Sequence, residues 1–360
     1  MRVRGEKSKF LFLTVARAYC SYIITVFHAH TSPRSIPPTH TPSLVLLKLI
    51  SMIPDSQDLA RRLYNPVNSF CGAAALDGDL SKLWSCFGTG AVLNIVLCLI
   101  VFAISEPLLK LFFGGFFEIV KAKKPHHSLS MKIEVVILVN ATVTSSIVAW
   151  ETILLYKIAG LAPKSAFELP ARPSLWLATG AMVGFMLWHG TMMLIFRSSV
   201  EKTIGRAMFR TVTFHHVFSI LLFPISLRVE LGCYFVALLV LSEITAVPFA
   251  FRTFGLRMGQ PFSSSLWFNC SSLLWLFMWF VARVMPMSSM LHVLSLANWE
   301  HLDIVSYYIC WFSYGPLIMH SGWTLVILQN VYKQLTSWCF GGDSSSSSSS
   351  LKQNKYAKKK

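Results

Sequence analysis

The chain has 360 residues, of which 54% are hydrophobic and only 13% charged, and its formal net charge is +16. A soluble domain carries about a quarter charged residues, so this composition excludes an ordinary water-soluble globule. The basic excess does not point to nucleic acid, because Lys and Arg gather in short loops and at the ends of apolar runs, where they set membrane orientation.

The N-terminus places Arg2, Arg4, Lys7 and Lys9 before the apolar run Phe10–Phe27, which resembles a signal sequence or signal anchor. The residues up to 54 are rich in Pro, Ser, Thr and His and read as a linker. Residues 55–88 read as a lumenal segment before the main domain, and Cys71 and Cys86 could pair there in an oxidising compartment. Seven apolar segments follow, each near the roughly 20 residues that a bilayer helix needs. They are Thr89–Phe113, Lys132–Ile158, Ser174–Phe196, Met208–Leu227, Leu231–Phe251, Leu266–Met287 and Ile304–Asn330. The expected fold is therefore an all-α, multi-pass transmembrane helix bundle over residues 89–332. Residues 333–360 form a Ser/Lys-rich tail with a low-complexity composition that buries no core.

Of the eight cysteines, Cys98, Cys233, Cys270 and Cys310 fall inside spans and read as small hydrophobes. Cys339 stands just past the last span and is a candidate for palmitoylation. The fourth and fifth spans are separated only by Arg228-Val229-Glu230, so they form a tight antiparallel hairpin. Loops after odd-numbered spans hold Lys121, Lys123, Lys124, Lys132, Arg197, Lys202, Arg206, Arg210, Arg252 and Arg257. Loops after even-numbered spans hold only Lys157, Lys164, Arg172 and Arg228. The first set, and the C-terminus with it, is expected in the cytosol.

Ionisable groups at membrane depth are costly, so each is a candidate for function. At about 1.5 Å rise per residue, His215 and His216 lie roughly 10 Å from the cytosolic face, as does His189. His320 lies about 15 Å from it and Glu243 near the midplane on the same rise. Neighbouring helical residues point about 100° apart, so His215 and His216 cannot both face one centre. One is expected to reach a site and the other to hydrogen-bond a neighbouring helix. Thr211 and Ser219, one turn either side of His215, mark a polar face. Glu243 has Leu239 and Val247 one turn away and calls for a partner from another helix, a histidinium or an arginine. Interhelical hydrogen bonding without any substrate is the competing reading for all of these groups. Glu151, near the lumenal end of its span, reads as solvated. Zinc helices offer ligands at i, i+3 or i, i+4, whereas the His pair is i, i+1, so no metal is expected.

Phe214-His215-His216-Val217, then Ser242-Glu243-Ile244-Thr245 with Pro248-Phe249 and Arg252, and the ending Leu328-Gln329-Asn330-Val331-Tyr332 resemble the TLC-domain family. That superfamily includes the ceramide synthases. The resemblance implies a multi-pass membrane domain whose His pair forms an acyl-transfer site for fatty acyl-CoA. On that reading His215, His216 and Glu243 are catalytic, and His189, Thr211, Ser219, Ser242, Thr245 and His320 line the pocket. One histidine would act as base or nucleophile and Glu243 would orient it. The chain departs from the synthases, which carry further acids where it has Glu243 alone, and His189 stands where relatives often have an acid. It resembles the non-synthase branch, whose members are linked to membrane lipid composition. The implied role is lipid homeostasis in the endoplasmic reticulum or another endomembrane, the plasma membrane being the alternative, with membrane lipids as partners and no cofactor. An acyl-CoA-dependent acyltransferase is the alternative, and a non-catalytic lipid-sensing or sorting protein the third reading.

Overall fold

The computed structural model describes residues 80–161, 172–228, 232–259, 262–296 and 304–339. The N-terminal segment to residue 54, Cys71 and the tail from residue 340 lie outside the described residues. The chain divides into a main unit ending at Tyr314 and a second unit that includes Gly315–Cys339. Every regular element among the described residues is helical. Six stretches are long and apolar enough to cross a membrane: Leu80–Phe113, Pro125–Ala149, Pro173–Ile195, Arg206–Arg228, Cys233–Met258 and Leu266–Ser295. The fold is thus an all-α multi-pass bundle.

In chain order the helices are α1 (Leu80–Phe113), α2 (Gly115–Lys123), α3 (Pro125–Leu161), α4 (Pro173–Ile195), α5 (Arg197–Ile204) and α6 (Arg206–Arg228). They continue as α7 (Cys233–Ser242), α8 (Ala246–Met258), α9 (Leu266–Trp279), α10 (Met285–Leu296) and α11 (Ile304–Cys339). The seventh expected span, Ile304–Asn330, lies wholly within α11. The first span starts at Leu80 rather than Thr89, so the expected pre-domain segment gives up its end to α1. The reason is local packing: Leu83 and Cys86 are buried, and Trp84 sets its edge on Trp176 with ring centroids 5.2 Å apart. Cys86 is disulfide-bonded. Cys98 and Cys233 are buried free thiols and Cys270 an exposed one.

The closest helix pair is α1 against α4, and small residues permit it. Gly180 and Gly184 are one turn apart on α4 and face Phe87 and Ala91 on α1, while Gly90 of α1 faces Leu177 and Ala181. A Cβ on Gly180 would collide with the Phe87 carbonyl oxygen, one on Gly184 with that of Ala91, and one on Gly90 with that of Leu177. With lipid tails as apolar as leucine, such close backbone contact is what drives membrane helices together. Asn94 of α1 locks the seam by donating to Asn140 Oδ1 of α3 at 2.7 Å and to the Ala181 carbonyl of α4. One amide therefore ties three helices.

The span α7–α8 packs chiefly on α3, and less on α6, its hairpin neighbour. Thr152 of α3 donates to the Ala237 carbonyl at 3.2 Å, and the Tyr234 and Ser289 hydroxyls bond at 2.6 Å to join α7 to α10. Glu151 is not solvated: it is 1% exposed, accepts from Ser174 Oγ at 3.3 Å and faces Arg172 Nε at 3.7 Å. The start of α4 covers the carboxylate, so nearness to a helix end did not mean access to water. At the opposite end of the bundle Glu106 bonds Lys110, Lys121 and Lys132 and gathers α1, α2 and α3. Gly205, at φ 85°, turns the chain from α5 into α6. Beside it an Arg197 hydrogen bond holds the Glu201 carboxyl below the usual carboxylate range.

Two turns inside the spans depart from the α-helix. Glu243–Thr245 is a 3-10 turn joining α7 to α8. Phe280–Val284 is a π turn joining α9 to α10, closed by the Met285 N–H donating to the Phe280 carbonyl. Each precedes a proline. Pro248 has no N–H for the Ile244 carbonyl, and Pro286 has none for Ala282, so the ladder must tighten or widen there. Glu243 sits on the first irregular turn and Arg283 on the second.

Candidate functional site

The site grows from these two turns. Arg283, 7% exposed, donates from Nη2 to Glu243 Oε1 at 3.2 Å, while Glu243 is 20% exposed. Arg283 Nε donates to Thr245 Oγ1 at 2.8 Å, and the guanidinium lies over the Trp279 ring, 4.9 Å from its centroid. A buried guanidinium is thus held by a carboxylate, a hydroxyl and an aromatic face, the combination its planar fork suits. A charge pair at this depth is tolerated because each side chain answers the other. The 3-10 turn brings Glu243 and Thr245 onto the side that meets Arg283.

The two histidines of α6 go to different partners, as their angular separation requires. His216 is buried and its Nε2 hydrogen-bonds His189 Nδ1 of α4 at 2.8 Å. Phe185 stacks on the His189 ring at 5.4 Å and fixes its orientation. His216 Nδ1 has no hydrogen-bond partner among the described residues. A buried orphan lone pair is better tolerated than a buried orphan N–H. That favours the tautomer in which His216 Nε2–H donates to His189 Nδ1. His215 is half-buried and interacts electrostatically with Glu243 and Arg283, and its Nδ1 is 3.5 Å from Ser219 Oγ. The half-exposed imidazole next to the ion pair is therefore His215, and His216 is the tie between α6 and α4.

The other sequence candidates fall out as follows. Thr211 donates to the Ala207 carbonyl and Ser242 to the Leu239 carbonyl, each within its own helix. Thr245 is part of the Arg283 site. His320 belongs to the second unit, where Thr324 Oγ1 donates to its carbonyl and its ring meets Trp323 edge-on at 5.3 Å. Arg283 was not among the sequence candidates. A cation inside the span Leu266–Met287, just before Pro286, was the signal that could have found it. Among the described residues no group of three or more His, Cys, Asp or Glu is placed to hold a metal ion.

No curated protein and no solved structure matches the chain. A family model for the TLC domain (TRAM/LAG1/CLN8) matches residues 125–329, from the first residue of α3 into α11. It includes His189, His215, His216, Glu243 and Arg283 and leaves α1 and α2 outside. The match covers more than half of the 360 residues, and the chain belongs to the TLC-domain family.

Proposed function

We propose that this TLC-domain protein handles lipid in an internal membrane and adjusts membrane lipid composition through the group of polar side chains around His215. The observation that supports this most is the gathering of His215, Glu243, Arg283 and Thr245 inside helices long enough to span a bilayer. Groups this costly to bury are kept for a substrate or ligand more often than for stability. The TLC family is linked to lipid metabolism, and Glu243 as the only acid within its span supports the non-synthase reading. Cells lacking the protein should show altered phospholipid or sphingolipid profiles that return to normal when it is restored. An unchanged profile in cells lacking it would remove the reading.

A second reading, acyl transfer from fatty acyl-CoA, has one feature in its favour. A half-exposed imidazole beside a carboxylate, oriented by its neighbours, is the arrangement of a general base or nucleophile. Purified protein given acyl-CoA should then release free CoA thiol in the presence of an amine or alcohol acceptor, or retain an acyl adduct on His215. No thiol release and no adduct with any acceptor would leave the lipid-handling reading alone.

In our reading the ends carrying α2, α5 and the close of α8 face the cytosol, because the loop cations concentrate there. The disulfide at Cys86, at the other end of α1, fits an oxidising lumen on the opposite side. A tag inserted at Lys202 should be reached by antibody after the plasma membrane alone is permeabilised, and a tag at Lys164 should not. Access to Lys164 with protection of Lys202 would invert the orientation.

A further inference from the structure

Between α1 and α3 the chain presents a surface, remote in sequence from the His215 group, that joins exposed apolar side chains to a surplus of lysines. The span α1 ends at Phe113, and Gly114, at φ 50°, turns the chain into α2. Phe117 and Val120 of α2 are buried, and Phe116 sets its edge on Phe262, with ring centroids 4.9 Å apart. These contacts dock α2 on the bundle. Leu111 and Phe112 at the end of α1, and Phe116 and Ile119 of α2, are nevertheless exposed.

From residue 106 to residue 132 the chain carries five lysines and only two glutamates. Lys110 Nζ meets Glu106 Oε1 at 3.4 Å, Lys121 bonds the same oxygen, and Lys132 Nζ lies 3.7 Å from Oε2. Lys110 also bonds Glu118 at 2.8 Å, and Lys132 rests over the Phe102 ring, 4.7 Å from its centroid. Lys123 and Lys124 are exposed and have no carboxylate partner among the described residues. Three ammonium groups thus share the Glu106 carboxylate, and each has three N–H donors. Over the whole surface three positive charges go unanswered. Lys110 and Lys121 are 46% and 44% exposed, so an anion outside the bundle can reach them.

The lysines and the exposed apolar side chains lie on the same two helices, so whatever answers the charge has to lie at the bilayer edge. There Phe, Leu and Ile enter the acyl region while the long lysine stems lift their ammonium groups to the headgroups. Lysine meets a phosphate as a point charge and sets no demand on its orientation. All of these residues except Lys132 precede the family match at residue 125, so the surface is built in front of the TLC domain.

We propose that α2 and the end of α1 form a binding surface for anionic phospholipid. Lys110, Lys121, Lys123 and Lys124 donate to headgroup oxygens, and the exposed apolar side chains pack on the first carbons of the acyl chains. In the orientation proposed above this is the cytosolic leaflet, which carries anionic lipid. The surface does not depend on whether the His215 group acts on lipid.

The test uses full-length protein in nanodiscs of phosphatidylcholine alone, or of phosphatidylcholine mixed with phosphatidylserine or with phosphatidylethanolamine. The wild-type unfolding midpoint should rise by several degrees with phosphatidylserine only, since a ligand held by the folded state alone stabilises it. The rise should shrink in high salt. Lys123→Gln with Lys124→Gln removes two cations that pair with no carboxylate, and should lose most of the rise. Lys123→Gln alone serves if the double variant does not fold, and should lose part of it. Lys202→Gln with Arg210→Gln removes the same charge from exposed positions on α5 and α6 and should keep the rise. His215→Ala should keep it too, so failure of the lipid-handling reading would not register here. A wild-type midpoint indifferent to phosphatidylserine, or raised equally by phosphatidylethanolamine, would leave the lysines to water or an acidic protein partner and overturn the proposal. So would equal rises or equal losses in the two double variants, which would trace the effect away from this surface.

Discussion

Replacing Gly180 by leucine is expected to abolish accumulation of folded protein. The Gly180 Cα faces the Phe87 backbone so closely that even a methyl group would strike a carbonyl oxygen. Backbone cannot swing away as a side chain can, so α1 and α4 would have to separate along their whole seam. Overpacking a well-fitted contact costs about 1–3 kcal/mol, and a clash with main chain belongs at or above the upper end. Separation would also withdraw Ala181 from Asn94 and leave a polar amide facing hydrocarbon. Gly190, with open space around its Cα, provides the control on the same helix: Gly190→Leu should be tolerated. Fluorescence-detected size exclusion of tagged protein would show a monodisperse peak for Gly190→Leu and aggregate or nothing for Gly180→Leu. Equal peaks from both would mean that the α1–α4 contact does not hold the bundle.

Removing one member of the Glu243–Arg283 pair should be nearly as severe. Arg283→Met leaves Glu243 without its cation, and Glu243→Gln leaves a buried guanidinium without an anion. Breaking a buried pair from one side costs about 3–5 kcal/mol, whereas removing both charges together often costs far less. The double variant Glu243→Gln with Arg283→Met should therefore be more stable than either single one. A double-mutant cycle on thermal unfolding in detergent measures this directly. Additive losses would show that the two side chains are not coupled. A double variant that folds well yet fails to restore the lipid profile of cells lacking the protein would assign the pair to function as well as stability.

The membrane spans could be read from the sequence because a bilayer imposes a length and an apolarity that local context cannot override. The divergence of His215 and His216 was equally legible, since 100° per residue is a property of any α-helix. The partners were not. Nothing in the spacing of α7 and α9 says that Arg283 meets Glu243; that depends on two irregular turns whose phases are set by Pro248 and Pro286. The prolines were visible, but the direction in which each turn would rotate its side chains was not. Glu151 was misread for a related reason, because its cover comes from Ser174 and Arg172, beyond a connection that local pattern does not constrain. The Gly180/Gly184 pair, one turn apart on an apolar helix, is a readable signal of helix contact.

In the proposed function His215 faces the working side of the site, while His216 ties α6 to α4 through His189. Cellular phospholipid and sphingolipid profiles of cells lacking the protein, given back wild type, His215→Ala or His216→Ala at matched protein level, test it most directly. His215→Ala is expected to fold normally and to leave the profile of cells lacking the protein uncorrected. His216→Ala is expected to correct the profile and to unfold at lower temperature, in keeping with the loss of one interhelical hydrogen bond of about 1 kcal/mol. Correction of the profile by both variants would contradict it and leave these histidines as structural bonds alone.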